Sequence, residues 1–241
     1  MKNAIGLFCF IVILSGCDNS TVPQAYSPEM ASYSNEFDFD PVRGSVKTVT
    51  ESLIDAQGKT VKYFSGKLSQ EGCFTLMEMR DVTHNSGATL VLNANYYVDA
   101  TTNEKRILLQ GKCQLAGIPA VGVTYETNDD GFVTGVEGKN TDGKVVKTTY
   151  SYDKEGYPTG RVTRNENDTL EVKNSSNADV RKKMDYTSQT LLNGKLIGQS
   201  VQTCDYDKHG NPSTCTFHNT DMSVTPEKVS EYTIKYAVEY Y

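Results

Sequence analysis

Apolar and polar residues alternate along most of this chain, with the period of strands. Near the carboxyl end Tyr232, Ile234, Tyr236, Val238 and Tyr240 fall on one face, with Thr233, Lys235 and Glu239 opposite. A period of two is what a half-buried strand requires. Ala88, Leu90, Leu92, Ala94, Tyr96 and Val98 alternate likewise, as do Ile107, Leu109, Cys113 and Leu115. Between the runs lie turn signals. Tyr152-Asp153-Lys154-Glu155-Gly156-Tyr157-Pro158 recurs as Tyr206-Asp207-Lys208-His209-Gly210-Asn211-Pro212, with looser copies at Ile54 to Gly58 and Thr127 to Gly131. Asp starts a type I turn and Gly three residues later takes the left-handed conformation; the Pro marks an edge or bulge. Asn193-Gly194 between Leu191-Leu192 and Leu196-Ile197 is a further hairpin signal. No long stretch has helical periodicity. The pattern predicts an all-β chain, an antiparallel sheet built from consecutive hairpins with internal Tyr-Asp-x-x-Gly turn repeats. Val162 to Asn177, polar and Asn-rich, is expected to be an exposed loop.

The amino terminus follows another pattern. Lys2 precedes an apolar stretch from Ala4 to Ser15, too short for a comfortable membrane span of about 20 residues. It ends in Leu14-Ser15-Gly16-Cys17, which resembles a bacterial lipobox. That resemblance implies cleavage before Cys17, an S-diacylglycerol on its thiol and an N-palmitoyl chain on its amine, several chains giving a stable anchor. Asp18 resembles the signal that retains such proteins at the inner membrane. From Asn19 to about Ser34 the chain is rich in Ser, Pro and small polar residues without periodicity. The expected organisation is a signal peptide over 1–16, a lipidated tether over 17–34 and a periplasmic all-β domain over 35–241.

Composition adds limits. The 15 tyrosines, 8 phenylalanines and absence of tryptophan favour strands. A net charge of −6 argues against nucleic acid, which needs a basic face, and against adhesion of the domain itself to anionic lipid. With Cys9 lost to cleavage and Cys17 to lipid, Cys73, Cys113, Cys204 and Cys215 remain. In an oxidising compartment they predict two disulfides, with three connectivities open. Cys204 and Cys215 flank the His209-Gly210 step symmetrically, which favours pairing across one hairpin and leaves Cys73 with Cys113. Zinc on Cys204, His209, Cys215 and His218 is the alternative, although the spacing matches no common zinc pattern.

Candidate chemistry is sparse. No Gly-rich phosphate loop and no nucleophile elbow appear, and His84, His209 and His218 lie in polar segments. Asp205-x-Asp207-x-His209-Gly210 resembles the start of a calcium loop, but Thr216 stands where the bidentate Glu is needed. Glu36, Asp38 and Asp40 alternate with Phe37 and Phe39, read as a solvated strand face anchored by two phenylalanines. A cation or basic partner is the alternative use of that face. Asn167-Asp168-Thr169 is a chance glycosylation match.

Together these pieces resemble the YnfC-type family of uncharacterised bacterial lipoproteins. The resemblance is carried by Pro28 to Ser32 running into Ser34 to Pro41, by Glu71-Gly72-Cys73-Phe74, Asn93 to Tyr97 and Gln110 to Leu115, and by the ending Tyr232 to Tyr241. It implies a lipid anchor on Cys17 and brings no catalytic residues, metal or cofactor. The functional expectation is a binding or interaction module at the inner membrane, facing an envelope protein or periplasmic ligand. The alternatives are an envelope hydrolase, which needs the histidines to converge, and a structural accessory lipoprotein.

Overall fold

The computed structural model describes residues 23–241. Sixteen antiparallel strands form one closed barrel in sequence order. They are β1 (Val46–Asp55), β2 (Thr60–Leu68), β3 (Phe74–Asp81), β4 (Ser86–Asn93), β5 (Tyr96–Asp99), β6 (Lys105–Gln110), β7 (Gln114–Ile118) and β8 (Val123–Thr127). There follow β9 (Val133–Lys139), β10 (Val145–Tyr152), β11 (Pro158–Arg164), β12 (Thr169–Ser176), β13 (Tyr186–Leu192), β14 (Lys195–Tyr206), β15 (Pro212–Asp221) and β16 (Lys228–Tyr240). Pairing of β1 with β16, from Val46 opposite Tyr240 to Asp55 opposite Tyr232, closes the barrel and leaves no free edge.

The turns explain the meander. The Asp153 side chain accepts from the backbone N–H groups of Glu155 and Tyr157, both at 2.9 Å, and Gly156 sits at φ 78°. Asp55, Asn128, Asn140 and Asp207 head turns of the same kind. Because every connection is a hairpin, alternate turns lie at opposite ends of the barrel. The β2–β3, β6–β7, β8–β9, β10–β11, β12–β13 and β14–β15 connections share one end with the start of β1 and the finish of β16.

At that end the amino-terminal segment enters the lumen. One helix, α1 (Pro28–Phe37), starts at Ser27, whose hydroxyl accepts from the Met30 N–H at 3.1 Å, and stops at Asp38 in the left-handed region. It is enclosed by strands. The Tyr33 hydroxyl donates to the Cys113 carbonyl at 2.7 Å, and the Val133 N–H donates to the Ser32 hydroxyl at 2.9 Å. Phe39 stacks on Phe64 with ring centroids 3.8 Å apart. Beyond Asp40 the chain turns back, and buried Arg43 donates through its backbone N–H to Asn211 at the plugged end.

This corrects the tether boundary: Tyr26 and the residues from Met30 to Ser34 belong to the buried core. A helix enclosed on all sides by polar and aromatic strands has no amphipathic stripe, so no helical period marked it. The segment Val162 to Asn177 is also not a loop. It forms the end of β11 and all of β12, joined by a tight turn at Asn165–Asp168. Its inward positions are polar because that side of the lumen is a cavity. The run from Ala88 to Val98 is a hairpin, broken at Ala94 (φ 52°), so Tyr97 and not Tyr96 points into the core.

The exposed outer positions of β14 to β16 are mostly polar, with Val201 and Val229 among them. On β16, Lys228, Glu231, Lys235 and Glu239 are exposed, and on β14 and β15 so are Gln199, Thr203, Asp205, Thr214, Thr216 and His218. A membrane-spanning barrel presents an apolar band there, and one Lys at its midplane costs about 2–4 kcal/mol. This outer surface suits water.

Candidate functional site

The plug fills only part of the lumen. Beside its inner end lies a cavity of about 470 Å³, walled by Phe37, Phe39, Phe64, Tyr63, Phe217 and Ile234 among others. A smaller lobe of about 210 Å³ adjoins it, sharing Asp38, Phe39, Asp40, Tyr186 and Phe217, and is bounded by Arg161, Asn174, Ser188 and Ser200. Lys62 at the start of β2 and Asp81 to Ala88 around the β3–β4 turn place the larger lobe toward the end opposite the plug. The size falls within the range of small-molecule sites.

The carboxylates converge here. They are not on a strand: Glu36 ends α1, Asp38 caps it, and Asp40 lies in the return segment. Glu36 accepts the hydroxyls of Tyr125 at 2.5 Å and Tyr150 at 3.2 Å. Burial holds the Glu36 carboxyl above its ordinary pKa despite those donors, and burial with the Glu36 charge raises both tyrosines. Asp38 pairs with Lys62 at 2.8 Å; burial opposes ionisation, but the ammonium outweighs it and the pKa ends below normal. Asp40 accepts the Tyr236 hydroxyl and, at 3.2 Å, the Gln202 amide, while its backbone N–H donates to Glu51 at 2.7 Å. Burial raises the pKa of Asp40, and burial together with the Asp40 charge raises that of Glu51 well above the carboxylate range. Asp40 and Glu51 form no ion pair among the described residues. The expected solvated strand face is therefore corrected: Glu36 and Asp40 are half-buried against the lumen, while Asp38 at the helix cap keeps an exposed side chain.

Glu51, Gln202, Tyr186, Tyr236 and Arg161 were not singled out from the sequence. Glu51 had a signal, since it lies in phase with Val49 and Leu53 on the inner face of β1. A carboxylate at an apolar phase position marks either a pair or a cavity.

The remaining candidates sit elsewhere. Cys73 is joined to Cys113 (Cα–Cα 5.8 Å) between the β2–β3 and β6–β7 turns, and Cys204 to Cys215 (4.0 Å) directly across β14 and β15. The thiols that zinc would need are thus occupied, and the described residues hold no group of three metal-ligating side chains. His84 lies exposed against Asp81 in the β3–β4 turn, His209 stacks on Tyr240 at 4.0 Å near the plugged end, and His218 faces outward on β15. They do not share a pocket. Asp205 faces outward, and Asp207 caps its turn and accepts the Tyr240 hydroxyl at 2.7 Å. Cys17 and Asp18 lie outside the described residues.

A family model described as "Uncharacterised protein family (UPF0257)" matches residues 1–241. Relatives from Salmonella dublin and Salmonella typhi, each named UPF0257 lipoprotein YnfC, are 47% identical over 241 residues, covering all of both chains. One from Salmonella heidelberg, of the same name, is 46% identical over the same span. Among solved structures, a porin-like protein from Bacteroides uniformis overlays with a TM-score of 0.44 at 10% identity, covering 81% of this chain and 98% of that one.

Proposed function

The chain belongs to the uncharacterised protein family UPF0257, and on that premise we propose that it is a lipid-anchored periplasmic binding module whose barrel lumen holds a small ligand. The single observation that carries the binding role is the aromatic-walled cavity beside the plug. Three features support the anchor. Leu14 to Cys17 has the lipobox pattern, the relatives are named lipoproteins, and the charged outer strand faces leave the barrel needing another hold on a membrane. In this reading Cys17 carries S-diacylglycerol and N-palmitoyl chains, and Asp18 keeps the protein at the inner membrane.

Six residues lie between Cys17 and residue 24, and that length of chain reaches about 25 Å at most. The plugged end therefore stays near the bilayer, with the larger lobe toward the far end. The tether is shorter than the sequence alone suggests, because Tyr26 and the helix after it are already part of the core.

The test is thermal stability in fractions of a periplasmic small-molecule extract. A ligand that binds only the folded state raises stability as its concentration exceeds Kd. The wild-type protein should gain stability in at least one fraction, and Ala88→Phe, which fills the larger lobe, should not. No stabilisation in any fraction counts against the binding role.

A further inference from the structure

We propose that the luminal ligand is a small organic monocation, a protonated amine on an apolar or aromatic body. The inference rests on the binding reading above and goes beyond it by fixing the charge and shape of the occupant.

Two independent features of the cavity point the same way. The first is its wall. Phe39 and Phe64 stack face to face, and Phe37, Tyr63, Phe217, Leu53 and Ile234 continue an apolar and aromatic surface. Such a surface favours a flat hydrocarbon body, and aromatic faces also attract cations. The second is the polar end. Asp40 uses one carboxylate oxygen for both its donors, Tyr236 and Gln202, and Glu51 uses one for the Asp40 N–H. Among the described residues the second oxygen of each has no donor, and both residues line the cavity. Each side chain is half-buried, so the surface it keeps faces the lumen.

The nearby cations are already engaged. Lys62 is held by Asp38 at 2.8 Å, and Arg80 by Glu78 at 2.7 Å on the exposed rim. Arg161 lines the smaller lobe and not the larger one. An anion in the larger lobe would face two acids without a free positive partner. A neutral hydroxyl could donate to one of these oxygens but would leave the carboxylate charge without a counter-ion. An ammonium supplies donors and the missing charge together, and a buried acid is stabilised only when it is paired and hydrogen-bonded.

The experiment uses three probes of one shape: 1-naphthylmethylamine, 1-naphthylmethanol and 1-naphthoate, titrated calorimetrically into the lipidated protein in detergent. The amine is expected to bind about tenfold or more tightly than the alcohol, and the naphthoate most weakly. Asp40→Asn/Glu51→Gln should erase the amine's advantage over the alcohol; circular dichroism reports whether that variant folds. If it does not, Glu51→Gln alone, which keeps an acceptor for the Asp40 N–H, should reduce the preference for the amine, and an unchanged preference overturns the charge assignment. Equal affinity for all three probes overturns the charge assignment and leaves the binding module standing. Absence of binding by any probe overturns both.

Discussion

Replacing Tyr33 tests whether the amino-terminal segment is a structural plug. Its side chain is 1% exposed, stacked on Phe74 with centroids 5.2 Å apart and edge-on to Tyr97 at 5.9 Å. Removing such a ring in Tyr33→Ala leaves a cavity, which costs about 3–5 kcal/mol. It also strips the donor from the buried Cys113 carbonyl, worth about 1–3 kcal/mol on its own. Tyr33→Phe loses only the hydroxyl. Tyr97 still donates to the Phe74 carbonyl at 2.9 Å, so the expected cost is about 1–2 kcal/mol. At about 2–4 °C per kcal/mol for a domain this size, Tyr33→Phe should lower Tm by a few degrees and Tyr33→Ala by on the order of 10 °C or more. Urea titration followed by circular dichroism and tyrosine emission measures both, since the chain has no tryptophan. If Tyr33→Ala unfolds within about 1 kcal/mol of wild type with the same m-value, the plug is not part of the cooperative core. Residues up to Ser34 would then be a detachable tether.

Glu51 is protonated more readily in the folded than in the unfolded chain, so its favourable contribution is complete below about pH 4.3 and is lost as pH rises toward the raised folded value. Glu51→Gln keeps an acceptor for the Asp40 N–H, so it should exceed wild-type stability at pH 7 and match it near pH 4; urea midpoints with the same pH slope in both proteins would contradict this. Loss of Cys73–Cys113, with a sequence separation of 40, should destabilise more than loss of Cys204–Cys215, with a separation of 11. The chain-entropy difference is about 1 kcal/mol, and paired Cys→Ala variants showing the reverse order would refute the loop argument. Asp18→Ser should shift the protein toward the outer membrane in density-gradient fractionation, and an unchanged distribution removes the sorting role.

Legibility in the sequence followed the physics of burial. Strands with one dry and one wet face, such as β16, announced themselves by alternation, and the Asp-x-x-Gly turns fixed their joints. Barrel closure was not legible, because the pairing of Val46 with Tyr240 links the two ends of the domain and leaves no local trace. Helix α1 was hidden because Ser32 and Ser34 are as buried as Met30 and Tyr33, their hydroxyls satisfied by Val133 N–H and Ala31 C=O. Strands β11 and β12 were hidden for the complementary reason: Arg161 and Asn174 point inward, but into a cavity. The acids Glu36, Asp38 and Asp40 read as surface without the plug; Glu51 on β1 and Tyr236 directly opposite it on β16 complete the group.

Native mass spectrometry of the protein released from membranes under mild detergent tests the central claim most directly. The account predicts a chain starting at Cys17 with three acyl chains, carrying a small-molecule adduct that Ala88→Phe loses while keeping the lipid mass. A chain that retains residues 1–16, or an adduct that persists unchanged in Ala88→Phe, would contradict it.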